Sequence, residues 1–488
     1  MTSSGGAHAV TAAAKVAEPK ADIPALTGLR FLAALSVAVA HGTAITVQIQ
    51  DPSPATAAVK FWLENGAGFG MSLFFVLSGF VIHYNYSGIV ASHGVRGFAQ
   101  FMWARFSRLY PLFLVVLVTD ITFSSRLFGA VGLEPTVGLM QTVLALPYYL
   151  TFTQSWLYTS IGNSSLVYQI GITAPVMWSI STEWFFYLCY PVIMLATVRA
   201  TRPGYAVGAA LVWSLAWGGF AYDVSGYAVG LDDWAVRAFG AVAALTTAQG
   251  GINQDSFVRW MLYFSPYLRI GEFILGCLIA QAHMTLRGTA IRPGEAVFAQ
   301  AALCLAIISI PVILFVMYEP GGTHWLRRLG YNFGLAPSIA LLLFCAARYR
   351  PRALRLFETA ALQRFGDASY AVYLLHVIVF AVVMKAMGSL GLGSMANPLF
   401  LFVRLVVVLA LLVLLSVALF AYLEAPARRA LRRLWTQPRG MIRPGTVALV
   451  PVLCAAGLVG LGHLIKFQEG HRIDASSRIL VTVISRQD

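Results

Sequence analysis

Apolar runs about 20 residues long recur from one end of this chain to the other. Wound at 1.5 Å per residue, such a run crosses a hydrocarbon core about 30 Å thick. Only helices and closed barrels satisfy their backbone groups in lipid, and these runs lack the alternation, about 10 residues per strand, of a membrane barrel. The fold class is therefore all-α, a polytopic transmembrane helical bundle. Charged residues make up 11% of the 488 and hydrophobic ones 58%, whereas soluble domains carry about 25% charged residues. A cytosolic enzyme, a disordered chain and a secreted disulfide scaffold are excluded. The net charge of +14 is no sign of nucleic-acid binding, because arginines crowd the short loops, as the positive-inside rule expects. Cys189, Cys277, Cys304, Cys345 and Cys454 all fall in apolar segments without a CxxC pair or a His at metal spacing. They read as buried thiols, and no metal is expected.

Twelve apolar segments lie at about 26–48, 69–90, 108–124, 137–154, 176–198, 205–222, 268–286, 296–318, 330–347, 369–388, 399–423 and 446–466. Arginine-rich loops at 91–108, 199–204, 348–366 and 424–443 belong in the cytoplasm, and the acidic loops 49–68 and 223–267 outside. Strict alternation over twelve crossings puts Arg199 and Arg202 on the wrong side. Withdrawing 137–154, which carries Gln141, Pro147 and two tyrosines, restores the series. The expectation is about eleven crossings (ten to twelve), a cytoplasmic N-terminus and an outer C-terminus, with 137–175 on or dipping into the outer face. Residues 1–22 read as a disordered cytoplasmic tail without signal-peptide order, 23–430 as the transmembrane core, and 431–488 as an extra helix with a short tail.

Ionisable groups in lipid cost at least about 2.5 kcal/mol each and usually face a cavity. The first span holds Arg30 and His41. Eleven steps of 100° return to within about 20°, so the two share one face, about 16 Å apart along the axis. Either could instead be structural, Arg30 by snorkelling and His41 by packing. Ser78 in FFVLSGF suits close helix contact or approach to a ligand. Arg105 and Arg108 in RFSRLYP are i,i+3 neighbours that make either a phosphate clamp or a positive-inside anchor. In MWSISTEWFFY, Ser179, Glu183 and Tyr187 share a face. Glu183 falls at about the depth of His41, so it either orients that imidazole or bridges to an arginine. Arg269 and Glu272 are again i,i+3 and could satisfy one another, while Ser369, Tyr373 and His376 share a face of a later span. Pro426 ends a span in LEAPARR.

Taken in order, these pieces resemble the membrane-bound acyltransferase 3 family, polysaccharide and macrolide O-acetyltransferases among them. The resemblance covers about 22–430 and rests on seven motifs. They are Arg30 with His41; FFVLSGF; Arg105, Arg108 and Tyr110; Trp178, Ser179, Ser181 and Glu183; Arg269, Glu272, Phe273 and Gly276; Ser369, Tyr370, Tyr373 and His376; and Glu424, Pro426 and Arg428. Many members carry a second acid after the glutamate, where this chain has Trp184. Many also append a soluble esterase-like domain, which is not expected here.

The resemblance implies transfer of an acyl group, usually acetyl, from cytoplasmic acyl-CoA to a hydroxyl of a glycan or glycosylated small molecule. No bound cofactor is implied, and acyl-CoA is the donor co-substrate. Partners are the lipid bilayer, acyl-CoA and the glycan acceptor, with no nucleic acid, and the location is a bacterial plasma (inner) membrane. On this reading His41, Glu183 and Arg30 are catalytic. Arg105, Arg108 and Tyr110 bind acyl-CoA. Ser78, Ser179, Ser181, Trp178, Arg269, Glu272, Tyr373 and His376 line the cavity. The rival class is a transporter or flippase of a glycolipid or anionic substrate, whose usual inverted repeats and paired broken helices are not visible.

Overall fold

The computed structural model describes residues 22–46, 53–128, 139–162, 164–247, 250–251, 253–319, 325–392 and 397–436. The expected tail, apart from Asp22, and the expected last span at 446–466 lie outside the described residues. The helices are α1 (Pro24–Thr46), α2 (Pro54–Phe128), α3 (Leu139–Leu150), α4 (Ala174–Thr197), α5 (Pro203–Ala228), α6 (Asp232–Phe239) and α7 (Phe257–Arg259). They continue with α8 (Pro266–Leu286), α9 (Pro293–Tyr318), α10 (Ala336–Tyr349), α11 (Ala360–Asp367), α12 (Ser369–Ser389), α13 (Pro398–Leu419) and α14 (Ala425–Thr436). Proline stands in the first turn of α4, α5, α8, α9, α10 and α13, where its missing N–H costs nothing.

Eight helical stretches among the described residues are long and apolar enough to cross a membrane. One of them contains α2, which is two limbs rather than a rod. Gly94 breaks it at φ 50° and ψ −125°. Tyr86 and Phe101 have ring centroids 5.1 Å apart, where a straight helix would separate them by about 22 Å. A Cβ on Gly97 would meet the Ile89 carbonyl oxygen at 2.3 Å, so the limbs close tightly. Counting those limbs separately, and adding the 14-residue apolar α10, recovers ten of the expected segments. The arginine-rich stretch 91–108 is thus largely helical, not an open loop.

The core is built on α1, α2, α4, α8 and α12. Glycines set the closest approach. A Cβ on Gly79 would lie 2.0 Å from the Phe273 carbonyl oxygen, and one on Gly276 would lie 2.0 Å from that of Val76, so the backbones of α2 and α8 touch.

The 12 described residues of α3 reach about 18 Å. The chain then leaves helical form through β1 (Ser160–Ile161) and β2 (Ser164–Ser165), paired antiparallel. Buried Asp120 of α2 accepts from the backbone N–H of Ile172 at 3.1 Å and of Thr173 at 2.9 Å, which fixes the start of α4. The same end of the bundle carries a cap of rings. Tyr158 packs edge-on against Phe239, Phe257 and Trp260 at 4.9–5.8 Å. Its hydroxyl donates to the Asp255 carbonyl oxygen at 2.8 Å, and the Asp255 carboxylate accepts from the Ser165 N–H at 2.6 Å. Burial raises the Asp255 pKa.

Candidate active site

Helical periodicity fixes where the first span can put its two ionisable groups, and α1 sends them to two places. Arg30 enters the wall of an open-mouthed cavity of about 760 Å³. Its other walls are the two limbs of α2, α4 and the start of α12. Polar groups on them include Ser78, Arg105, Arg108, Ser179, Glu183, Ser369 and Tyr373. On α2 the cavity runs from Ile82 to Met71, eleven residues and about 16 Å, which is the axial distance from Arg30 to His41.

His41 is not in that wall. Its Nδ1 lies 2.7 Å from Nε2 of His376 on α12, with the two rings stacked. His376 Nδ1 lies 2.6 Å from the Tyr373 carbonyl oxygen. A carbonyl can only accept, so Nδ1 of His376 carries the proton and donates it. When both rings are neutral, Nε2 of His376 is then an acceptor and Nδ1–H of His41 is its donor. Nε2 of His41 is left with a bare lone pair, the form a general base or nucleophile needs. Tyr373 joins the two places, since it stands in the cavity wall and its ring lies 6.0 Å from that of His376. Its hydroxyl is 2.7 Å from Ser179 Oγ and donates to the Val176 carbonyl oxygen at 2.9 Å.

Glu183 does not orient His41, as its depth suggested. It accepts from Ser78 Oγ at 2.5 Å and faces the cavity that holds Arg30, Arg105 and Arg108. The expected shared depth does not hold. Glu183 lies one turn inward of Ser179, which meets Tyr373, while His376 lies one turn outward of Tyr373. Glu183 therefore faces the level of Arg30, and the imidazole finds its partner on α12. Arg105 is 8% exposed and lies 4.8 Å above the Tyr86 ring, with the Phe101 and Tyr187 rings each 5.9 Å away. Its Nε is buried without a hydrogen-bond partner. Aromatic faces hold the guanidinium in place while a polar edge stays unsatisfied. Tyr86 was not singled out in the sequence, where its contact depends on the fold-back at Gly94.

Several expected positions lie elsewhere, for helical reasons. Ser179 and Glu183 are one turn apart and both reach the cavity, but Trp178 and Ser181 are rotated away by about 100° and 200°. Trp178 packs on Tyr263 and Phe264 at 5.1 and 5.2 Å, and Ser181 accepts from Ser155 Oγ at 2.9 Å. Tyr110 is two residues past Arg108, so it faces away and stacks on Phe106 at 4.5 Å. Trp184 packs edge-on against Phe152 at 5.4 Å.

Arg269 and Glu272 are also outside this cavity. They form a fully buried ion pair at 3.2 Å, and Glu272 further accepts from Ser72 Oγ at 2.6 Å and the Phe333 N–H at 3.2 Å. Arg269 borders a separate pocket of about 210 Å³ with Ser72 and Asn332. No group of three or more His, Cys, Asp or Glu side chains that could hold a metal is found among the described residues.

Comparison with known proteins identifies the family. A family model described as an acyltransferase domain matches residues 23–421. Acyltransferase MdmB of Streptomyces mycarofaciens is 28% identical over 370 residues, covering 75% of this chain and 81% of that protein. O-acetyltransferase OatA of Staphylococcus aureus is 22% identical over 419 residues, which cover 83% of this chain but only 57% of that longer protein. No solved structure matches. The chain is a multi-pass membrane acyltransferase and belongs to the acyltransferase 3 family.

Proposed function

We propose that this enzyme moves an acetyl group from cytoplasmic acetyl-CoA to a hydroxyl of a glycan or glycosylated small molecule, in a bacterial plasma membrane. The observation that carries the proposal is the lone pair left on His41 Nε2 by the relay from Tyr373 through His376, beside a cavity rich in arginine. In this account Arg105 and Arg108 grip the phosphates, since guanidinium binds phosphate oxygens bidentately. The pantetheine arm follows the apolar wall formed by Phe74, Phe75, Leu77 and Ile180. Arg30, about 16 Å along α1 from His41, holds a phosphate with Arg105 and Arg108 rather than polarising a carbonyl at the imidazole. His41 Nε2 takes the proton of the acceptor hydroxyl, or carries the acyl group as a covalent intermediate, and the His376 lone pair stabilises the resulting imidazolium. The oxygen of the acceptor forms the new ester bond, and the thiolate of CoA leaves and takes a proton. Glu183 balances the arginine charge, and the cavity excludes water that would hydrolyse the thioester.

Acetyl rather than a longer chain is supported by the name of O-acetyltransferase OatA, and a glycosylated acceptor by the family resemblance alone. The test is release of free thiol from acetyl-CoA by the purified protein when a hydroxyl acceptor is added. A transporter or flippase would move its substrate across a vesicle and release no thiol.

A further inference from the structure

Beyond the arginine pair the cavity opens into a vestibule of about 1070 Å³ between α2 and α14, which no step above uses. The two spaces share Val81, Arg105 and Arg108, so the arginines form the neck between them. Sequence explains why α14 closes the vestibule. Pro426 follows the apolar span of α13, and ALRRLW then alternates arginines with apolar residues at helical spacing. Trp103 Nε1 donates to the Leu431 carbonyl oxygen at 2.9 Å and pins α14 against α2. This places the Trp435 indole 6.5 Å from that of Trp103, with the planes 27° apart. Both indoles, Asn85, Gln100 and Arg432 line the vestibule.

We propose that the vestibule seats the nucleotide end of the acyl-CoA donor, with its purine on the Trp103 and Trp435 indoles and Arg432 on a phosphate. This rests on the donor assignment above and extends it to a second subsite. Indole faces suit any flat base and are indifferent to a bare phosphate. Asn85 and Gln100 offer amides to a ring edge. An anionic lipid headgroup would use Arg432 but would leave the two indoles without a function. The order along the passage also fits a single extended molecule, with base and phosphate outermost, the arginine neck next, and a narrow apolar channel leading toward Tyr373.

The test measures equilibrium binding of adenosine 3′,5′-bisphosphate and of inorganic phosphate to the full-length protein in detergent. It is joined to kcat/KM for acetyl-CoA and for S-acetyl-4′-phosphopantetheine, which lacks the nucleoside. The nucleotide should bind more tightly than phosphate. Trp435→Ala should weaken it about tenfold and narrow the preference for acetyl-CoA over the truncated donor by a similar factor. Trp435→Phe, which keeps a flat ring and the packing of α14, should hold affinity to within about threefold, and Arg432→Gln should weaken the nucleotide. Equal loss on both donors in Trp435→Ala, or nucleotide affinity unmoved by it, overturns the proposal. Thiol release by wild type with affinity unmoved in Trp435→Ala removes this subsite alone. Nucleotide binding lost in Trp435→Ala, with no thiol release by wild type, removes the acetyl-transfer reading and leaves the base pocket standing.

Discussion

His41 Nδ1 and His376 Nε2 lie 2.7 Å apart, joining the first helix to one that begins more than 300 residues later. Because Tyr373 presents only a carbonyl oxygen to the other nitrogen of His376, the proton order along the chain is fixed whenever both rings are neutral. His376 is thus a positioning residue for His41. His376→Ala should lower kcat by about 10²- to 10⁴-fold while KM for the acyl donor stays near wild type. His376→Gln can offer one acceptor to His41 and should retain more activity than alanine. Steady-state kinetics with the donor varied distinguishes this from a structural loss, which would lower the amount of folded enzyme and leave kcat per folded molecule unchanged.

The arginine neck should act on donor binding. Arg108→Ala is expected to raise donor KM by about ten- to a hundredfold, the size of one or two hydrogen bonds to charge. Arg105→Lys should also weaken the donor, because an ammonium cannot reproduce a planar guanidinium over Tyr86, Phe101 and Tyr187. Competition by coenzyme A reads both effects without turnover.

Glu183 accepts from Ser78 and shares a cavity with three arginines. Glu183→Gln keeps an acceptor for Ser78 but removes the charge. It should change the affinity for coenzyme A and leave the pH profile of kcat with the same midpoint. A shifted midpoint would return Glu183 to the histidine side of the mechanism.

The buried Arg269–Glu272 pair is tied to Tyr263, Ser72 and Phe333, away from the cavity. Glu272→Ala strands a buried guanidinium, and about 3–5 kcal/mol of stability should go with it. Expression and thermal unfolding in detergent would fall, with kcat per folded molecule little changed.

Asp255 gives the cap a pH dependence. Its pKa in the folded protein is raised by burial, so its neutral form is favoured by folding. Its contribution is therefore full below the pKa of the unfolded chain and is lost as pH rises through the folded value. Asp255→Asn keeps an acceptor for the Ser165 N–H and removes this loss. The variant should unfold at the same temperature as wild type or higher near neutral pH, with the difference vanishing in acid.

The sequence carried the helical class and the placing of Arg30 and His41 three turns apart on the first span, because each depends on local periodicity. Rotation between distant helices was not legible. Glu183 is expected beside His41 by depth, yet it meets Ser78 at the level of Arg30, and the imidazole meets His376. The motif containing Trp178, Ser179, Ser181 and Glu183 reads as one group in sequence, but 100° per residue sends only Ser179 and Glu183 into the cavity. The fold-back at Gly94 brings Tyr86 onto Arg105. Asp120 did leave a signal, a carboxylate within an apolar run, and its role in fixing the start of α4 went unassigned.

One comparison bears most directly on the mechanism. Purified wild type and His41→Ala, matched for folded protein, are assayed for thiol release from acetyl-CoA with acceptor present and for coenzyme A affinity. The account predicts that His41→Ala loses transfer altogether while binding coenzyme A as wild type does. Turnover at the wild-type rate in that variant would contradict it.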